Sequence, residues 1–161
     1  NPISFLCLLL LEYKFVKAAN KCYKVHKKIK NWQSAMQTCY MEGGLLTVME
    51  TNAEINNIRH LIANDETYFV GFKKMFNADF FTVKVKVCYC SDLLYLPIIV
   101  LIKNRKVFEN TYFKSWYRVQ DYAGKNCGTY KYFSYNQQNK MEVDKCEQQY
   151  HFICEMDVNR K

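Results

Sequence analysis

Alternating hydrophobic and polar side chains predict strands near both ends of the chain. Residues 21–29, KCYKVHKKI, alternate well enough to place every second side chain on one face of a strand. Residues 67–72, TYFVGF, form an apolar run in which Gly71 indicates a bend. The run YHFICEM, at 150–156, closes a final third that is rich in aromatic and turn residues. We therefore predict strands at these three places.

Spacings of three and four residues predict a first helix between the first two strands. Asn31 can cap its start, and Gly43-Gly44 can end it in a left-handed turn. Its apolar stripe consists of Trp32, Ala35, Met36, Cys39 and Tyr40.

A capping box predicts the second helix. Thr51 can accept from the backbone of Glu54, whose side chain can reach back. Ile55, Ile58 and Ile62 then share one face. Two helices combined with short antiparallel strands make an α+β domain.

The segment 84–106, KVKVCYCSDLLYLPIIVLIKNRK, departs from these patterns. It contains none of the five glycines, and residues 93–102 are almost wholly apolar yet too few to span a membrane. A genuine loop insertion and a translated intron are both compatible with it, and the abrupt change in composition favours the intron. As a structure, it would be a fully buried strand or a loosely attached segment, and we expect loose attachment.

The N-terminus predicts export. Residues 3–11, ISFLCLLLL, have the length of a signal-peptide core, and Val16 and Ala18 stand at −3 and −1 of a cut before Ala19. We therefore expect a partial signal peptide at 1–18, from a chain lacking its first residues. One secreted, extracellular domain follows at 19–157, interrupted at 84–106, with a tail at 158–161. A buried helix is the alternative for the apolar run.

The cysteine content predicts a disulfide framework. Eight cysteines in 161 residues favour an oxidising compartment. No cysteine spacing resembles a zinc site, since Cys88 and Cys90 are too close together for a usual ligand pair. Loss of Cys7 with a signal peptide would leave seven cysteines, so at least one would be free or intermolecular.

The formal charge of +8 is concentrated rather than spread. Residues 84–106 hold five basic residues and one aspartate, a net charge of +4 and thus half of the total. A nucleic-acid partner is therefore not expected, since the remaining chain carries little excess charge.

The order of these motifs resembles the C-type lectin-like domain over residues 21–83 and 107–157. FNADFFTV (76–83) and ENTYFKSWY (109–117) are similar to insect secreted lectins of the hemolymph. The segment 84–106 has no match in the family. The matching residues are Tyr23, Trp32, Ala35, Cys39, the GGLL of 43–46, Glu54, the YFVGF of 68–72, Cys127-Gly128, Cys146 and the FICE of 152–155.

The resemblance implies two disulfide bridges. Cys39 would pair with Cys154, and Cys127 with Cys146, the second clamping a long-loop region. In longer family members the cysteine equivalent to Cys22 pairs with an upstream cysteine. Here that partner could only be Cys7, which would be lost with the signal peptide. Cys22 therefore becomes a candidate for an intermolecular bridge in a homodimer, or for an unpaired thiol.

The resemblance also implies a calcium-dependent sugar site, but its ligands are poorly represented. Calcium requires six to eight oxygen ligands. Gln120 and Asp121 stand nearest to the first ligand motif, without the cis-proline that shapes it. Glu142, with Asp144 one place late, is all that remains of the second, because Val143 has no side-chain oxygen. These four polar residues are the ligand-binding candidates, and we expect no metal or cofactor beyond weak calcium affinity.

A recognition module is the predicted function. His26, His60 and His151 could serve as bases for a cysteine nucleophile, but the cysteines best placed for this are predicted to be bridged, and no enzyme motif is present. By resemblance, the chain binds carbohydrate on microbial or host surfaces in innate defence. The alternatives are calcium-independent binding of a protein or lipid, and a structural or inhibitory role as a disulfide-linked dimer.

Overall fold

The computed structural model describes residues 7, 12–75, 79–87, 97–103 and 125–158. Two helices precede most of the strands, and the chain closes with a hairpin and a final strand. The elements in chain order are β1 (Lys14–Val16), β2 (Lys21–Lys30), α1 (Trp32–Met41), β3 (Leu45–Leu46), α2 (Asn52–Ile58), β4 (Thr67–Met75), β5 (Asp79–Val87), β6 (Pro97–Lys103), β7 (Lys125–Phe133), β8 (Gln138–Lys145) and β9 (Tyr150–Asp157).

Both helices begin where the sequence predicted. The Asn31 side chain accepts a hydrogen bond from the Ser34 amide (2.8 Å), and the Thr51–Glu54 capping box is complete. Helix α1 ends at a left-handed residue, Gly43, with a φ of 83°. Local hydrogen bonds at the caps fix these ends, which is why a single sequence predicts them well.

The strands form one mixed sheet in the order β1-β2-β9-β4-β5-β6. Strand β7 pairs with β4 and β8, and β3 pairs with β9. The predicted antiparallel pairing holds for these ladders except one, because β4 and β9 run parallel, with Tyr68 opposite His151. The last strand therefore enters the sheet between β2 and β4, which brings the C-terminal segment into its centre.

Two apolar clusters lie on opposite faces of this sheet. In β9, Phe152 and Cys154 belong to the cluster under α1, whereas Ile153 belongs to the cluster under α2, as expected when successive side chains alternate. The Trp32 indole anchors α1 by donating to the Val70 carbonyl (2.9 Å). A Cβ at Gly71 would lie 2.5 Å from the Leu46 carbonyl oxygen, so only glycine allows β3 to cross β4 this closely.

The two bridges implied by the resemblance are present. Cys39 is bonded to Cys154 and Cys127 to Cys146, with Cα separations of 5.4 and 5.1 Å. They close loops of 115 and 19 residues, worth about 5 and 3 kcal/mol in the chain-entropy account.

The prediction of an intermolecular bridge at Cys22 is wrong. Cys22 is buried and bonded to Cys7 within the same chain, with a Cα separation of 5.9 Å. The prediction followed from the expected loss of Cys7 with a signal peptide, which would leave Cys22 without its partner. A disulfide-linked dimer through Cys22 is therefore not supported.

The segment 84–106 has a partner strand that the sequence analysis did not foresee. Strand β6 pairs antiparallel with β5, from Phe81 opposite Lys103 to Val87 opposite Pro97. Within the sheet order, β6 is the end strand. Residues 88–96, including Cys88 and Cys90, and residues 104–106 lie outside the described part of the chain. Backbone pairing thus attaches part of this segment to the sheet.

The Cys7–Cys22 bridge and the predicted signal peptide make opposite predictions. Strand β1 lies inside the predicted peptide 1–18, pairs with β2, and follows Tyr13, a fully buried residue. We expect non-reducing peptide mapping of the expressed protein to recover Cys7 linked to Cys22. Replacing both cysteines by serine should cost about 3 kcal/mol of unfolding free energy for a loop of this size. A secreted chain starting at Ala19, with a free Cys22 thiol, would contradict the bridge and support the cleavage.

Candidate functional site

The candidate ligands in the C-terminal part of the chain lie on β8, in the hairpin that Cys127–Cys146 clamps. Strand β7 pairs with β8 from Lys125 opposite Lys145 to Phe133 opposite Gln138. The backbone of α1 joins this clamp, since the Trp32 amide donates to the Cys146 carbonyl (3.1 Å). The base of the hairpin, where β7 starts and β8 ends, is therefore held by a disulfide and a backbone hydrogen bond.

Met141 and Val143 contribute to packing. Met141 is buried in the cluster under α2, and the half-buried Val143 packs against the same cluster. Alternation along β8 then places Glu142 and Asp144 on the other face. Glu142 thus points its carboxylate away from the apolar cluster, and its neighbours Met141 and Val143 provide no side-chain oxygen.

Glu142 is an exposed side chain with a partner on its own strand. Its carboxylate lies 2.6 Å from the Lys140 ammonium, and both side chains are about half exposed. The Thr129 hydroxyl donates to the Glu142 carbonyl (3.3 Å). An exposed pair of this kind contributes little to stability, so the carboxylate remains accessible to an external ligand at low cost.

Asp144 is more firmly engaged. One carboxylate oxygen accepts from the Lys145 amide (2.8 Å) and the other from the Tyr150 hydroxyl (2.7 Å). Burial, together with the hydrogen bond to Asp144, raises the pKa of Tyr150 to about 12. Both oxygens therefore have donors within the chain, and a cation would have to displace them.

The described residues do not assemble the expected calcium site. Gln120 and Asp121 lie outside the described part of the chain, and Glu142 and Asp144 have partners of their own. Calcium binds oxygen donors in sets of six to eight. The donors of β8 do not fit such a set, and weak or absent calcium binding stays a prediction.

The one group of metal-type ligands found among the described residues is His26, Glu42 and Cys154. Cys154 is bonded to Cys39, so it has no thiolate to serve as a ligand or as a nucleophile. Glu42, just past the end of α1, accepts from Lys24 (2.9 Å) and Tyr13 (3.0 Å) and lies 3.1 Å from His26 Nε2. This cluster fastens β1 and β2 to α1.

Glu42 was not predicted from the sequence to be the centre of this cluster. Its position next to the helix-ending glycines was the available signal, but the cluster depends on strand pairing. Strand β2 presents Lys24 and His26 on the face that α1 covers, and β1 follows Tyr13. The ring of His26 also stacks on Phe152, with centroids 4.3 Å apart.

A groove of about 500 Å³ lies beside β1 and β2, with His151 in its lining. The His151 ring contacts Tyr68, with centroids 5.6 Å apart. Its Nδ1 is buried and has no hydrogen-bond partner in the described part of the chain. His60 lines a separate, more open depression beside β1 with Lys17 and Leu61.

Solved structures of C-type lectin domains match this architecture. The domain of murine dendritic cell inhibitory receptor 2, solved with an N-glycan, has a TM-score of 0.64 and 14% identity, covering 91% of this chain and 96% of that one. The carbohydrate-recognition domain of mouse scavenger receptor C-type lectin gives 0.60 and 13%, covering 94% and 98%. This chain has the C-type lectin-like fold.

The fold is also similar to that of proteins with another role. A calcium-independent type II antifreeze protein matches with a TM-score of 0.61 and 13% identity, covering 91% of this chain and 92% of that one. No protein-family model and no curated protein matches the sequence. Among the residues described, no helix is long and apolar enough to cross a membrane.

The cluster around Glu42 makes the fold sensitive to acid. Burial lowers the pKa of His26, with Lys24 acting in the same direction and Glu42 opposing. Although burial alone would raise it, the hydrogen bond from Lys24 and the nearby His26 hold the pKa of Glu42 below its usual value. Between the unfolded and folded pKa of each group, the unfolded chain binds more protons, so stability falls as pH falls.

We therefore expect the melting temperature to fall as pH drops from 7 through about 6.5, the usual pKa of histidine, to below about 4.5. A His26→Gln variant should lose the upper part of this dependence, which begins near about pH 6.5 and continues below it. Burial raises the pKa of Glu155, which gives a dependence of opposite sign, so the comparison with His26→Gln isolates the imidazole. An unchanged slope in that variant would contradict the assignment.

Proposed function

We propose that this chain is a secreted lectin-like recognition module that binds carbohydrate on microbial or host surfaces without calcium. The observation that carries the proposal is the β7–β8 hairpin. It keeps the disulfide clamp of the fold, while Asp144 is engaged by Tyr150 and Glu142 remains a half-exposed carboxylate beside Lys140. A disulfide-clamped hairpin whose described residues assemble no cation site suits direct contact with a ligand.

Carbohydrate is favoured over other ligands by the structural neighbours. One was solved in complex with an N-glycan, and another is itself a carbohydrate-recognition domain. At 13–14% identity these likenesses concern the fold, so the glycan is a proposal for this chain. The role in innate defence rests on the sequence resemblance to insect hemolymph lectins. Binding of a protein or lipid without calcium is the alternative.

A glycan-binding assay in matched buffers tests this function. The full chain should bind immobilised microbial polysaccharides or whole bacteria equally in about 1 mM calcium, near the affinity of weak extracellular calcium sites, and in EDTA. Binding that disappears in EDTA and is restored by calcium would contradict the calcium-independent part. Absence of binding to any carbohydrate, with retained binding to protein or lipid surfaces, would contradict the carbohydrate part.

Stability in calcium gives an independent check. With a dissociation constant above about 1 mM, calcium at about 1 mM adds less than about 0.4 kcal/mol of unfolding free energy. We therefore expect calcium to shift the melting temperature only slightly, and by the same small amount in Glu142→Ala as in the unaltered chain. A shift of several degrees that Glu142→Ala abolishes would show that a working calcium site includes Glu142.

A further inference from the structure

The tip of the β7–β8 hairpin carries a group of aromatic and basic side chains that are half-buried or exposed. We name it the hairpin patch and define it as Lys131, Phe133, Tyr135, Gln138 and Lys140. In the ladder, Lys131 is opposite Lys140 and Phe133 is opposite Gln138. Because side chains alternate along a strand, these four residues share one face, opposite to the buried pair formed by the next positions.

The two ammonium groups of the patch lie over one ring. Lys131 Nζ is 5.0 Å and Lys140 Nζ 6.0 Å from the Phe133 centroid. Both distances lie within reach of a cation–π attraction. The Tyr135 ring meets Phe133 edge to face at 5.6 Å, and Tyr135 is 80% exposed. The hairpin tip therefore presents an aromatic surface with two positive charges beside it.

This arrangement is not the one that hairpin stability favours. Like charges placed directly opposite each other on neighbouring strands are destabilising. Only Lys140 has a carboxylate partner, Glu142, and Lys131 makes no ion pair with any residue in the described ranges. A large aromatic side chain is also left in water at Tyr135. A ligand with an anionic group and an apolar face would supply an ion pair to Lys131 and cover the ring of Tyr135.

We propose that the hairpin patch binds acidic polysaccharide, which is a sugar chain bearing carboxylate or sulfate groups. The apolar face of a sugar ring would lie on the exposed ring of Tyr135, while Lys131 and Lys140, held over Phe133, bind the anionic groups. Gln138 and its hydrogen-bonded neighbour Asn136 (3.1 Å) place amide groups beside this surface for sugar hydroxyls. Charge complementarity selects acidic over neutral sugars. The proposal rests on the proposed function and specifies its ligand class.

Two lysines beside aromatic rings form a small basic surface, which fits a sugar chain better than nucleic acid. A nucleic-acid surface carries a longer basic track along the backbone, whereas the patch adjoins Glu142 on the same face of β8. An acidic sugar would compete with Glu142 for Lys140. Because salt screens the attraction between exposed charges, binding should weaken as the salt concentration rises. Lys131, which makes no ion pair with another described residue, is the main cationic contact for the anionic groups of the sugar.

The test is direct binding of defined oligosaccharides to the full chain, by calorimetry or biosensor in EDTA. The probes are heparin oligosaccharides for sulfate, polygalacturonate oligosaccharides for carboxylate, and malto-oligosaccharides as the neutral probe. The variants are Lys131→Glu, Lys131→Arg and Tyr135→Ala. The matched control is Lys28→Glu, the same charge change at an exposed lysine on β2.

We expect at least one acidic probe to bind, and its affinity to fall about tenfold or more in Lys131→Glu, the usual effect of losing a charge-assisted contact. Tyr135→Ala should weaken the same probe several-fold, and Lys131→Arg should retain most of the affinity. Lys28→Glu should change it by less than about twofold, as a distant screened charge does. The preferred acidic probe identifies the anionic group as sulfate or carboxylate.

Two outcomes would overturn the assignment of the hairpin patch, and they differ in whether the proposed carbohydrate-binding function is also contradicted. If the chain binds neutral probes as well as acidic ones, or if Lys131→Glu and Lys28→Glu weaken binding equally, the hairpin patch is not the site and the carbohydrate-binding function stands. If no carbohydrate probe or microbial polysaccharide binds, the proposed function fails together with the patch. Unchanged melting temperatures across the variants confirm that folding is not the cause.

Discussion

The ammonium of Lys21 holds two carboxylates together inside the fold. It lies 3.1 Å from Glu54 and 3.2 Å from Glu155, whose side chains are 8% and 13% exposed. Glu54 also accepts from the backbone amides that start α2, and Glu155 accepts from the Thr47 hydroxyl (2.9 Å) and the Val48 amide (3.0 Å). One cation thus connects β2, β9, the segment after β3 and the helix α2.

The rest of the architecture depends on this connection because unpaired buried charges are costly. Burial raises the pKa of Glu155, which means that its ionised form is held at a cost. Although burial opposes it, the two carboxylates raise the pKa of Lys21 above its usual value. Around the ion group, α2 covers one face of the sheet, and the Cys39–Cys154 bridge fixes α1 on the other. The hairpin that carries the candidate site is built onto this rigid frame.

Local features of the fold could be predicted from the sequence, and pairings over long distances could not. The caps at Asn31 and Thr51 depend on residues within four positions of each other, so the sequence contains the whole interaction. The parallel pairing of β4 with β9 depends on where the last strand enters the sheet, which alternation along one strand does not encode. Cys22 was assigned wrongly because its partner, Cys7, had been placed in a cleaved segment.

The candidate site shows the same division. That Val143 supplies no ligand was evident from its side chain, and the proximity of Lys140 to Glu142 follows from their spacing along one strand. The hydrogen bond from Tyr150 to Asp144 crosses a turn, and the hairpin patch depends on the register of β7 with β8. The first could not be derived without knowing the path of the turn, and the second without knowing which residues face each other across the ladder.

Chemical unfolding of a Lys21→Met variant tests most directly whether this ion group holds the frame together. Removing one member of a buried ion group costs about 3 kcal/mol or more, so the midpoint should fall sharply relative to the wild type. Lys28→Met, at an exposed position on the same strand, should leave it within about 0.5 kcal/mol, as for most surface changes. Adding Glu54→Gln and Glu155→Gln to Lys21→Met should recover part of the loss, since no unpaired charge then remains buried. A Lys21→Met protein that unfolds at the same midpoint as Lys28→Met would contradict the account.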